Sequence, residues 1–174
     1  MNDFYAPDAK SAIRYTSRQL FYELAIHHHH YLTTRRFRTE AIPGQDPEYQ
    51  AHYANLVTSH NYAMLALTLC KVMEFHSAFR TRLQPGLRDE LDKINSRIAR
   101  SHIIDYRNKF VGHLFDSRTK LPLEPETIAK LWDALLEGQS EEEFRRWWWS
   151  KSDEPDLKSV AGLMVRIADS LDER

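Results

Sequence analysis

Cysteine is nearly absent from this chain of 174 residues: Cys70 stands alone, which excludes an intrachain disulfide and a zinc site built on several thiolates. Glycine and proline are scarce, at five and seven. Most of them fall between periodic segments, which favours long helices over many short strands. Neither sign of charge dominates, with 24 basic and 25 acidic side chains and a net charge of −1, so a uniformly basic nucleic-acid coat is excluded and any RNA contact must use local patches. No run approaches the roughly 18 to 20 apolar residues of a membrane span. The polar opening Met1-Asn2-Asp3-Phe4 lacks the apolar stretch of a signal peptide. A cytoplasmic protein of one domain, residues 1–174, with no membrane partner is expected.

The periodicity predicts an all-α, up-and-down bundle of about five or six helices. A first helix is expected from about Asp8 to Arg38, burying Ile13, Leu20, Leu24, His27 and Tyr31 and ending in Arg35, Arg36 and Arg38, a candidate phosphate patch. Asp46-Pro47 reads as an N-cap and first residue of a second helix reaching about Leu83. Its Tyr49, Tyr53, Leu56, His60, Ala63, Leu67, Cys70 and Glu74 recur at spacings of four and three and predict a bundle seam, in which His60 and Glu74 would need polar partners. Leu87, Leu91, Ile94 and Ile98 mark a third stripe, after which the apolar phase slips. Either a break falls near Ser101 or one long helix changes neighbours there. A helix from Pro125 to Gly138, a capping box at Ser140 to Glu143 and a last helix after Pro155, with Leu157, Val160, Met164, Ile167 and Leu171 buried, complete the chain.

Chemistry concentrates in residues 103–116, where Arg107, Asn108, Lys109, His113, Asp105 and Asp116 interrupt a largely apolar helical run. The spacing of an arginine and a histidine occurs twice, at Arg97–His102 and Arg107–His113, but only the second carries Asn108 and Lys109 after the arginine and Asp116 beyond the histidine. In that form Arg-Asn-Lys-Phe-Val-Gly-His-Leu-Phe-Asp resembles the signature of the HEPN superfamily, particularly its branch in phage abortive-infection systems. The resemblance implies a four-to-six-helix bundle, a homodimer whose two motifs face a shared cleft, and metal-independent RNA cleavage in a defence or toxin–antitoxin setting with an antitoxin or other regulator. It also covers nucleotide-binding relatives and catalytically silent members. Carried over, Arg107 and His113 form the catalytic pair and Asn108 their conformational support. Some toxins of this type place a modifiable tyrosine two residues after the histidine, where this chain has Phe115.

The side chains suit such chemistry. An arginine grips two phosphate oxygens without losing its charge, and a histidine exchanges protons near neutral pH. Residues six apart on an ideal helix point about 120° from each other, and Arg107 falls on the apolar side. Glu74 is its candidate partner, with Lys109 and Asp116 as supporting groups, unless Gly112 bends the helix or a dimer brings the groups together. The rival reading is a non-catalytic helical dimerisation module.

Two further clusters compete for attention. In His27-His28-His29-His30 only His27 and His30 share a helix face with Glu23, and His52, His60 or His76 would have to complete a metal set, so no metal or other cofactor is expected and a metal-binding bundle is a minor alternative. Arg145-Arg146-Trp147-Trp148-Trp149 suits core or subunit contact better than stacked bases.

Overall fold

The computed structural model describes residues 8–40, 42–108, 125–150 and 152–171, with only the backbone for 125–129 and 132. Among them lie seven α-helices, α1 (Ala9–Thr39), α2 (Pro47–Phe79), α3 (Pro85–Arg100), α4 (Ile103–Tyr106), α5 (Pro125–Leu136), α6 (Glu141–Trp148) and α7 (Val160–Asp169), and no strand. The fold is the all-α bundle expected from the periodicity.

Local chemistry sets the helix starts. Asp8 caps α1 by accepting from Ser11 N at 2.8 Å, and Asp46 caps α2 ahead of Pro47. Ser140 and Glu143 exchange hydrogen bonds across the first turn of α6, the capping box legible in the sequence. The phase slip resolves as a break: Ser101 is extended (φ −80°, ψ 165°) between α3 and α4. The second helix stops at Phe79, short of Leu83, and tightens into a 3₁₀ turn at Arg80–Arg82. The last helix begins at Val160 rather than just after Pro155, because residues 156–159 form a turn in which Ser159 donates to Asp156 O at 2.6 Å and then caps α7 through Gly162 N. Leu157, expected in the buried stripe, is therefore 64% exposed.

α1 and α2 form a long antiparallel hairpin. α7 packs on α1, α3 packs on α2 and α7, and α4 rests on α2 and α5. The core between them holds Leu24, Leu69, Val72, Leu91, Ile98, Ile103, Trp148 and Leu163. α2 buries part of the expected seam, Ala63 and Cys70 with Leu67 half-buried, but turns its inward stripe away from the rest. Ala54, Thr58, Asn61, Leu65, Thr68, Val72 and Phe75 are buried, whereas Tyr49, Tyr53, Leu56, His60 and Glu74 are exposed. Small and polar residues at Ala54, Thr58 and Asn61 admit the flanking helices closely, and Asn61 and Thr68 receive His27. His60 and Glu74 remain in water and need no buried partner.

Candidate functional site

The break at Ser101 aims the motif. Ser101 N–H still closes on Arg97 O and Ile98 O, while its hydroxyl accepts from Ile103 N at 3.3 Å, so α4 restarts in a new phase. Ile103 and Tyr106 are buried by that turn, and the Tyr106 hydroxyl lies 3.5 Å from Ser59 O of α2. The backbone then widens into a π turn at Arg107 and Asn108, a distortion frequent at functional sites.

Arg107 leaves α4 half-buried, and its guanidinium is gripped by its neighbour: Nε and Nη2 donate to Asn108 Oδ1 at 3.1 and 2.7 Å. It also lies close enough to the Cys70 thiol to influence it. Burial pushes that thiol up, with Glu74 adding to the rise, while the charge and a hydrogen bond of Arg107 oppose it. Glu74 itself is exposed. Among the described residues Arg107 makes no ion pair with Glu74 or any other carboxylate, so the expected partnership is replaced by the amide of Asn108. Lys109, His113, Phe115 and Asp116 lie outside the described residues.

The second copy of the spacing is put to other use. Arg97 lies 4.2 Å from the ring centre of Trp147 and donates to Gln139 Oε1 at 3.0 Å, while His102 is exposed beside Asp105 at 3.4 Å.

The four consecutive histidines radiate as a helix requires. The ring nitrogens of His27 lie 3.1 Å from Asn61 Oδ1 and 3.1 Å from Thr68 Oγ1. Thr68 in turn donates to Glu23, which Lys71 holds at 2.8 Å through both oxygens. Burial pushes the His27 pKa down. His28 stacks on Trp149 at 4.7 Å and is pushed down to about 4, chiefly by burial and then by Arg145. His29 and His30 are exposed. Among the described residues no three His, Cys, Asp or Glu groups converge as a metal site. His27 and Glu23, the core of the metal alternative, instead belong to the polar contact joining α1 to α2. Nothing in the spacing pointed to Asn61 or Thr68 as its other members.

The tryptophans belong to the core. Trp148 and Trp149 are buried, Trp147 is half-buried, and Trp149 also stacks on Phe21. Arg145 is buried above the ring of Tyr31 at 5.3 Å, a placement the sequence did not signal. The basic end of α1 opens on a cleft of about 330 Å³ lined by Tyr31, Arg35, Arg38, Asn61 and Tyr62, but Arg38 already faces Glu141 at 3.4 Å. That ion pair and the neighbouring Glu142 weaken the patch as a phosphate site.

The sequence matches no known family and no curated protein. Its fold is similar to that of an integron cassette protein from the mobile metagenome of V. paracholerae, with a TM-score of 0.74 over 95% of this chain and 96% of that one, at 17% identity. A likeness at that identity concerns the fold alone.

Proposed function

We propose that this chain is a metal-independent endoribonuclease of the HEPN type, acting as a homodimer in a prokaryotic defence or toxin–antitoxin setting, with Arg107 and His113 as its catalytic pair. The observation that carries this reading is the state of Arg107. Its guanidinium is oriented by Asn108 and is not neutralised by a described carboxylate, so its charge remains available to a phosphate.

In this mechanism Arg107 holds the non-bridging oxygens of the scissile phosphate and stabilises the charge that builds on them. The 2′-hydroxyl of the preceding ribose attacks phosphorus as an imidazole of His113 takes its proton. The bond to the 5′-oxygen breaks, and an imidazolium, supplied by the second subunit, protonates that leaving oxygen. The products are a 2′,3′-cyclic phosphate and a 5′-hydroxyl. The nucleophile belongs to the RNA, so no metal-bound water is required.

A non-catalytic dimerisation module is the second reading, favoured by the seat of Arg107 beside the buried thiol of Cys70, which gives the arginine a packing role. An assay of labelled RNAs with the purified protein in chelator separates the two. Cleavage by wild type and its loss in His113→Ala, with circular dichroism unchanged, supports the nuclease. A folded wild type that cleaves none of a varied RNA set, or a His113→Ala that cleaves equally well, leaves the dimerisation module.

A further inference from the structure

Part of the expected seam of α2, Ala63 and Cys70, is buried in the subunit, but Tyr49, Tyr53, Leu56 and His60 lie outside it, on a face that has the composition of a buried one. In a sequence with 28% charged residues, no Asp, Glu, Lys or Arg occurs between Glu48 and Lys71. The outward side of that stretch exposes Tyr49 (62%), Tyr53 (46%), Leu56 (56%) and Met64 (40%), with His60 exposed among them and Leu67 half-buried beyond. At 100° per residue these six project within a sector of roughly 80°, along roughly 27 Å of helix. A solvent-facing stripe normally carries charge, and a contiguous apolar one marks an interaction surface.

We infer that this face of α2 is covered by α2 of a second copy of this chain, antiparallel, about a twofold axis at His60. From Tyr53 to Leu67 the stripe is self-complementary under that operation, as an isologous contact requires, and Tyr49 falls opposite Lys71 at the rim of the contact. Rotation about His60 sets Tyr53 against Leu67 of the second copy, Leu56 against its Met64, and His60 against its own counterpart. Every apolar side chain from Tyr53 to Leu67 thus meets another, with no charge enclosed. The relief matches too: the prominent tyrosine end of one stripe meets the recessed Leu67 end of the other. α4 flanks the same stretch, since Tyr106 reaches Ser59 O and Arg107 reaches Cys70, so both copies of the arginine border the contact. The inference stands on the α2 face and holds whether or not the protein cleaves RNA.

Light scattering of the full chain at tens of micromolar should give twice the 20.6 kDa chain mass. Leu56→Glu and Met64→Glu should each give folded monomers, since neither side chain supports the subunit core. Oxidation of His60→Cys should produce a disulfide-linked dimer, whereas Tyr53→Cys, far from its own counterpart in the antiparallel pairing, should not cross-link. A monomeric wild type, as expected if another partner or none occupies the face, overturns the proposal. So does a dimer that survives both glutamates, or one in which Tyr53→Cys cross-links and His60→Cys does not. These measurements read mass and covalent pairing, so their failure is distinct from a failure to cleave RNA.

Discussion

Asn108 Oδ1 accepts from both Nε and Nη2 of Arg107, the adjacent residue, at 3.1 and 2.7 Å. Two donors of the guanidinium fork are thereby fixed on an uncharged acceptor, which orients the group without cancelling its charge. An aspartate there would bind the fork more tightly while cancelling the charge a phosphate needs.

On the nuclease reading, Asn108→Ala should therefore lower RNA cleavage by about 10- to 100-fold, in the range of a mispositioned catalytic group. Asn108→Asp should be at least as damaging through neutralisation. Arg107→Lys should approach the loss of Arg107→Ala, because an ammonium reproduces neither the two-donor contact with Asn108 nor a two-pronged grip on phosphate. Single-turnover cleavage of a labelled RNA, with far-ultraviolet circular dichroism as the folding control, checks all three. An Asn108→Asp that cleaves like wild type would break the argument.

Arg97→Ala should show the opposite profile. Losing the contact over Trp147 and the bond to Gln139 should cost about 1 to 2 kcal/mol of stability. Cleavage per folded molecule should stay within about twofold of wild type, because Arg97 serves packing and not the motif. Urea titration beside the cleavage assay separates the two quantities.

Much of this was legible in advance, and the gaps have physical causes. Caps and breakers announced α2 and α6 because Asp46-Pro47 and Ser140 to Glu143 act on their own first turns, whereas α1 was announced by its apolar stripe. The inward face of α2 was legible only in part, at Ala63 and Cys70, because the helix carries apolar residues on both sides and periodicity alone does not say which side the subunit buries. Ala54, Thr58, Asn61 and Thr68 carry weak apolar signals, and their burial depends on groups far along the chain, such as His27. The motif was visible as a pattern of residue types, but residue spacing does not reveal that Asn108 takes the guanidinium of Arg107 or that the backbone widens there. Leu157 was misplaced for a related reason: the turn capped by Ser159 delays α7 until Val160.

Gly162 offers a sharp test of that turn. A Cβ there would stand 2.1 Å from Asp156 O and 2.6 Å from Leu157 Cα, both backbone atoms with little freedom to retreat. Gly162→Ala should cost roughly 2 kcal/mol or more despite the better helix propensity of alanine, because overpacking outweighs a propensity gain of about 1 kcal/mol. Gly86→Ala, with open space around its Cβ, should be neutral or stabilising. Thermal and urea unfolding of the two variants decide this, and a Gly162→Ala as stable as wild type would show that the 156–159 turn is not packed on α7 as described.

The last prediction concerns acid. His28 is buried, stacked on Trp149, and held down to about 4 by burial and then by Arg145, with only Asp153, 4.0 Å away, favouring the charged form and His29 adding to the depression. An unfolded chain protonates the same imidazole near its ordinary 6.5. Between about 6.5 and 4 the unfolded state thus binds more protons than the folded one, and unfolding free energy must fall as the pH falls through that window. The drop from this residue should be on the order of 3 kcal/mol and level off below pH 4, with His27, also depressed by burial, adding to it. Ionised carboxylates held low by their partners, such as Asp92 between Arg80 and His76, act in a different range, losing their contribution only as the pH drops below their ordinary value of 3.8. His28→Leu keeps an apolar side chain against Trp149 and removes the titrating group. Urea unfolding at pH 7, 6, 5 and 4.2 should therefore give a flatter profile for His28→Leu than for wild type. Parallel profiles would mean that His28 does not sustain the acid sensitivity of the bundle.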